Sequence, residues 1–359
     1  MPSANIDKNM LDIYSDYLIS SLITATGLSS LPDNQLSHDK ITRFLSAKTY
    51  NSKDLWKLVK PTIREIETAD GCLIFDDTVE EKAYTDENDI IAWHFDHSKG
   101  RSVKGVNILS GIYHNDKATV PLSFEIVKKD QEFIDPKTGK KKRRSSINKN
   151  EYFRSIFKIN LNNAVKFKYV LSDIWFSSKE NMQFVIDRKK YFIFAVKKNR
   201  LVALSLKDKL KGNFKNLESL GLEKGQTLKC FIKGIDTEIL VAKQVFTNQD
   251  GSKGILYPAT NDTNLDFDQL TIIYQKRWKI EEYHKSIKSN AGLAKSPTKT
   301  VLTQSNHFFA AIYSFFKLEK LSQSTKLNHF ALKSKLYIKA LNSSFKELKK
   351  LRAQFAVCA

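Results

Sequence analysis

At about residue 70 the hydrophobic period of the chain changes, and that change limits the fold more than any other feature. Before it, apolar residues recur at mixed spacings of three and four. LDIYSDYLISSLITATG, which ends on Gly27, and LSHDKITRFLSAKTYNSKDLWKLVKPTIREIE both read this way, as helices. After it comes CLIFDDT, a short apolar run closed by two aspartates, which reads as a buried strand. VKGVNILSGIYH and TVPLSFEIV continue as strands. EYFRSIFKINLNNA returns to a helical period, KYVLSD is a strand, SSKENMQFVIDRKK a capped helix and YFIFAVKKN another strand. The chain is therefore α/β, with a strand–helix–strand unit that leaves Asp173 at the C-terminal edge of its first strand.

In the N-terminal helical part, Ser37 is placed to cap a short helix holding Ile41, Phe44 and Leu45, and Ser52 to cap one holding Leu55, Trp56 and Val59. Lys40, Arg43 and Lys48 fall on exposed positions. Such helices suit either a helix-turn-helix-type DNA reader or a plain bundle with surface lysines. DPKTGKKKRRSS is a highly basic loop, either a phosphate contact or the solvated end of a hairpin. From about residue 201 to 262, strand-like runs and an Asp-Gly turn form a β-rich insertion. The remaining long segments, NHFFAAIYSFFKLEKL and FALKSKLYIKALNSSFKELKKLRAQF, are helical, and no internal repeat is visible.

The charge balance narrows the partner. Fifty-nine Lys and Arg against 39 Asp and Glu leave a net charge of +20 over 359 residues, which calls for a polyanion, most simply nucleic acid. A membrane fits less well. No run approaches eighteen uncharged apolar residues, no strongly amphipathic basic helix is present, and MPSANIDKNM lacks the pattern of a signal peptide. Cys72, Cys230 and Cys358 form neither metal spacing nor a disulfide framework, so the expected compartment is reducing and cytoplasmic.

Residues 274–288, YQKRWKIEEYHKSIK, contain no Pro or Gly and read as one helix. On it Tyr274, Arg277, Glu281 and Lys288 share a stripe about 60° wide. Ile273, Ile280 and Ile287 form an apolar seam beside that stripe, and His284, three residues after Glu281, reads as a surface histidine or else as a group that orients that glutamate. Arg277 and Glu281 also have the spacing of an ordinary intrahelical ion pair, which accounts for one pair but not for the stripe. Arg277 and Lys288 can grip phosphates, Tyr274 can offer one its hydroxyl, and Trp278 either stacks on a displaced base or packs in the core.

Asp76 at the end of one strand, Asp173 at the end of another and Glu281 on a later helix make three carboxylates where open α/β sheets place their sites. Converging carboxylates repel and raise one another's pKa, a conflict that divalent cations relieve. Two Mg²⁺ ions bridged by carboxylate are a standard apparatus for in-line phosphodiester chemistry, and Mg²⁺ suits an all-oxygen site. Strand alternation puts Asp76 and Asp77 on opposite faces, so one of them joins the metals. WHFDH is less persuasive: on a strand His94 and Asp96 share a face and His97 takes the other, so three metal ligands do not converge.

FDDT, YVLSD and the spacing Y-x₂-R-x₃-E-x₆-K together resemble the DDE transposases of bacterial insertion sequences, in the group whose glutamate lies in a Tyr-Arg-Glu-Lys motif. The likeness spans about residues 70–320. It implies a ribonuclease-H-like mixed sheet flanked by helices, interrupted by the β-rich insertion. The family pattern of strand, Asp, any residue, Ser or Thr selects Asp76. By that likeness Asp76, Asp173 and Glu281 are the catalytic metal ligands for two Mg²⁺ ions, with Mn²⁺ able to substitute. Tyr274, Arg277, Trp278, Lys288, Lys40 and Arg43 are the expected DNA contacts. The expected domains are a helical end-recognition domain at 1–68, the core at 69–200 and 264–325, the insertion at 201–263, and a C-terminal segment for dimerisation at 326–359. The implied activity is cut-and-paste transposition at inverted repeats, often through a hairpin, by a homodimer associated with the nucleoid. The competing reading is a domesticated DNA-binding protein that keeps the fold without catalysis. A stand-alone ribonuclease-H-like nuclease is disfavoured by the helical N-terminal part, the insertion and the partners of Glu281.

Overall fold

The first half of β1 (Cys72–Glu81) is apolar towards both sides, and Cys72, Leu73, Ile74 and Phe75 are all buried. A strand of that composition belongs in the middle of a covered sheet, and β1 is paired along both edges. It runs antiparallel to β3 (Arg101–His114) over its whole length and parallel to β7 (Tyr169–Ser172) over Cys72–Phe75. The computed structural model describes residues 6–20, 37–96, 99–248, 250–296 and 298–357. They divide into two units, Asn51–Glu282 around the sheet, and Met1–Tyr50 with Tyr283–Ala359.

In the sheet unit, β4 (Thr119–Ile126), β3, β1, β7 and β8 (Tyr191–Val196) lie side by side in that order, with β2 (Ala92–Asp96) also on β3. β7 and β8 are parallel to β1, and β3 and β4 alternate with it. This mixed sheet with its flanking helices is the ribonuclease-H-like arrangement. Helix α3 (Ser52–Ile66) packs against β4. Its cap is Asn51, whose side chain accepts from the N–H groups of Lys53 and Asp54. The expected cap, Ser52, is instead the first helical residue, and its hydroxyl donates to the Phe124 carbonyl at 2.7 Å. Helix α4 (Lys149–Asn162) opens with a capping box of Asn148 and Glu151 and presses Phe153 edge-on to Phe75, ring centroids 5.0 Å apart. A Cβ on Gly111, the β3 partner of Phe75, would meet that ring at 2.6 Å, so only glycine lets β3 lie so close.

The β-rich stretch continues the same sheet. β14 (Lys253–Thr260) pairs antiparallel with β8, and β12 (Ile239–Ala242), β11 (Thr227–Ile232), β9 (Leu201–Ala203) and β10 (Lys215–Asn216) follow outward. The basic loop is a hairpin of β5 (Gln131–Ile134) and β6 (Lys141–Arg144), and its cations are largely matched: Arg143 with Asp89 and Glu132, Lys141 with Glu132, Lys142 with Asp135.

The helical unit is built around α9 (Val301–Thr325). HFFAAIYSFF is buried on every side of it, as in the central helix of a bundle. The Tyr14 hydroxyl on α1 (Lys8–Ser20) bonds His307 Nδ1 at 2.9 Å. The Asn306 side chain ties the carbonyls of Leu45 and Lys48 and the N–H of Tyr50. Ser37 caps α2 (His38–Ser46) as expected, accepting from the Lys40 N–H. The expected helix end at Gly27 and the site of Cys358 lie outside the described residues. Cys72 and Cys230 are free and buried. No helix among the described residues is long and apolar enough to cross a membrane.

Candidate active site

β1 stops being covered on both faces at Asp76, where the sheet opens, and alternation then separates the two aspartates. The side chain of Asp76 is turned to Arg277, with Oδ2 3.7 Å from Nη1. That of Asp77 is turned to Lys149, whose Nζ lies 2.7 Å from Oδ2, and it also accepts from the Asn107 amide. Parallel pairing of β7 with β1 sets Ser172 opposite Phe75, and the Ser172 hydroxyl donates to the Phe75 carbonyl at 2.9 Å. Asp173 follows at the strand end. It caps the short 3₁₀ turn Ile174–Phe176, accepting from the Trp175 N–H at 3.0 Å.

Residues 274–288 are not one helix. α7 (Phe267–Gln275) ends at Lys276, and α8 (Trp278–Ser289) begins two residues later. Between them the backbone bonds tighten to i+3 spacing, from Lys276 N–H to Ile273, Arg277 to Tyr274, Lys279 to Lys276 and Ile280 to Arg277. Neither Pro nor Gly causes this. Contacts on the sheet hold the turn: Lys276 bonds Asp116 at 3.2 Å, and Tyr274 is buried with its hydroxyl donating to the Ser172 carbonyl at 3.5 Å. The polar stripe is thereby split by depth. Tyr274 goes inside and props the strand end before Asp173. Burial pushes its phenol up to about 12.

Arg277 lies almost covered between Asp76 and Glu281, its Nη1 3.2 Å from Glu281 Oε1. Carboxylate oxygens of Asp76 and Glu281 lie within 4.8 Å of each other. Burial holds the Asp76 carboxyl well above the usual carboxylate range; the charges of Asp173, Asp77 and Glu281 add to the rise and that of Arg277 opposes it. Burial also raises Asp173, against the pull of Arg277 and of the Trp175 N–H. The Nε of Arg277 is buried with no hydrogen-bond partner among the described residues. Trp278, by contrast, is 61 % exposed, which removes the core-packing alternative.

Lys288 sits half-buried in the last turn of α8. His284 is buried rather than on the surface, beside the seam of the buried Ile280 and Ile287. Lys40 and Arg43 belong to the helical unit, where with Lys48 and Tyr50 they line a cavity of about 500 Å³. In WHFDH, His94 is buried on β2 and its pKa is pushed down to about 3 by burial, while His97 lies outside the described residues. Sequence reasoning missed Lys149 and Asn107, the partners that occupy Asp77. Neither has a local motif, since both contacts come from elements brought together by the sheet.

Asp76 lies in the middle of β1, which runs on to Glu81 rather than ending at the aspartate as expected. With Asp173 at the end of β7 and Glu281 on α8 it forms a carboxylate cluster in which Arg277 pairs with Asp76 and Glu281. That donor set fits a hard divalent cation. A model of the DDE superfamily endonuclease family matches residues 20–207, more than half of the chain. The chain belongs to that family. A transposase DDE domain matches residues 139–315, so Asp76 and Asp173 fall in the first match and Asp173 and Glu281 in the second. Compared with curated proteins, the chain has no match. Membership in the DDE endonucleases implies a nuclease or transposase that binds DNA and uses a divalent metal.

Proposed function

We propose that this DDE endonuclease is a cut-and-paste transposase that cleaves phosphodiesters at terminal inverted repeats and joins the freed 3′-hydroxyl to target DNA. The observation that carries the reading is the approach of Asp76 and Glu281 to within 4.8 Å beside Asp173, an arrangement with excess negative charge unless cations join it. Asp76, Asp173 and Glu281 would hold two Mg²⁺ ions, or Mn²⁺ in their place, and the chemistry supplied there would be activation of the attacking water or 3′-hydroxyl and stabilisation of the leaving oxygen. Asp76 rather than Asp77 is the ligand, because Asp77 is already taken by Lys149 and Asn107. Arg277, beside Asp76 and Glu281, grips a phosphate near the scissile bond with its guanidinium fork. The indole of Trp278 stacks on a base displaced when the end closes as a hairpin, Lys288 grips a flanking phosphate, and Lys40 and Arg43 read the transposon end. Tyr274 acts as a prop for the Asp173 strand end rather than through a hydroxyl given to DNA.

The test uses duplexes carrying the repeats that flank the gene, labelled on each strand. Cleavage at the repeat boundary in Mg²⁺ or Mn²⁺ and none in EDTA is the expected result. Binding without cleavage in either metal would replace this reading with that of an inactive DNA-binding protein.

The working form we propose is a homodimer. On α10 (His329–Val357), Ile338, Leu341, Phe345 and Leu348 recur at spacings of three and four, and all are exposed. An apolar seam of that period is what paired helices bury. Leu341→Glu with Leu348→Glu should turn a dimer into a monomer in sedimentation velocity. A monomeric parent protein, both free and on DNA, would refute the seam.

A further inference from the structure

Beyond Asp173, on the side of the sheet where β8 and β9 emerge, a groove of about 690 Å³ runs past the 3₁₀ turn. Its walls hold four cations, Lys179, Lys197, Arg200 and Lys233, and no carboxylate. Arg200 is anchored to the Ser177 carbonyl, and Lys179 is 3.9 Å from Glu180, a long and exposed pair. Lys197 and Lys233 have no ion pair among the described residues. Such a surface selects an anion. Trp175, half exposed at the mouth, makes the selection narrower. Its indole lies under Lys149, with Nζ 5.9 Å from a ring centroid, and Lys149 is also the partner of Asp77. The groove therefore begins beside Asp77 and within two residues of Asp173.

We propose that this groove binds an unpaired segment of DNA leading away from the scissile phosphate, with a base stacked on Trp175 and the backbone held by Lys179, Lys197 and Lys233. An aromatic face amid cations suits a strand whose base faces are open, whereas a duplex hides those faces in its own stack. A protein that only tracked phosphates would have no use for an exposed indole there. The inference rests on the reading above only in taking DNA as the substrate.

The test is fluorescence anisotropy of a labelled ten-nucleotide oligothymidylate and of a duplex of the same length, with full-length protein in EDTA over a range of salt. Trp175→Ala should weaken single-strand binding by roughly tenfold and change duplex binding less than twofold. Lys197→Ala with Lys233→Ala should lower the single-strand salt slope by about 0.7 per lysine. Circular dichroism of each variant guards against misfolding, and the exposure of all three side chains makes that unexpected. An unchanged single-strand affinity in Trp175→Ala, or an equal loss for duplex, overturns the proposal. End cleavage with no role for Trp175 would sink the groove and leave the transposase standing. Trp175-dependent strand binding by a protein that cleaves nothing would do the reverse.

Discussion

Asp76→Asn and Glu281→Gln should both end strand cleavage, yet only the first should make the metal-free protein harder to melt. Each removes one carboxylate from the cluster proposed to hold the metal, and neither amide can replace that charge. DNA binding should persist in both, because phosphate contacts come from cations elsewhere. The folding consequences differ because the two side chains sit at different depths. Asp76 is 13 % exposed and its carboxyl is raised, whereas Glu281 is 44 % exposed. An acid raised in the folded state stabilises the fold fully only below its unfolded pKa and loses that contribution as pH rises through the folded value. At pH 7 in EDTA that contribution is diminished, and the asparagine, which has no proton to lose, escapes the penalty. The melting temperature should rise by about 2–4 °C for each kcal/mol relieved in a unit of this size. A melting temperature for Asp76→Asn at or below that of the parent in EDTA would contradict this account of the site's electrostatics.

Arg277→Gln should act in the opposite direction on stability and in the same direction on cleavage. Arg277 is the counter-charge shared by Asp76 and Glu281, and it is 12 % exposed. Removing one partner from a buried ion pair typically costs roughly 3–5 kcal/mol. The loss here should be smaller, about 2 kcal/mol, because Asp76 is 3.7 Å away and Glu281 is open to solvent, which screens it. Urea denaturation in EDTA measures it, and adding Asp76→Asn to Arg277→Gln should recover part of the loss. Strict additivity in that cycle would mean that the two residues do not sense each other. Saturating Mg²⁺ should narrow the gap between Arg277→Gln and the parent protein, while cleavage by the variant stays depressed for want of its phosphate donor.

Much of the architecture could be read from local pattern. CLIF and YVLS announce buried strands because parallel neighbours and covering helices leave no polar face, and the aspartates that follow each run mark where cover ends. The broken helix at Lys276 was not legible, since nothing in YQKRWK disfavours a continuous helix. The break follows from where Tyr274 and Lys276 find partners on the sheet, which is tertiary information. The choice of Asn51 over Ser52 as a cap is of the same kind: either residue can cap, and the Phe124 backbone claims the serine. The burial of His284, in contrast, was available. It falls about 40° from Ile280 on the helical wheel, beside the seam that Ile280 and Ile287 define. The paired hairpin hid behind its composition, because the acids that match DPKTGKKKRRSS lie partly outside that string, at Asp89 and Glu132.

The double bonding of β1 also has a mechanical meaning. Asp76 stands on a strand paired with β3 along its whole length and with β7 up to Phe75, while Asp173 and Arg277 stand on tightened turns. The site is thus a vice with one fixed jaw. When the charge between the jaws changes, adjustment falls to the two turns, and the strand supplies the reference against which they close.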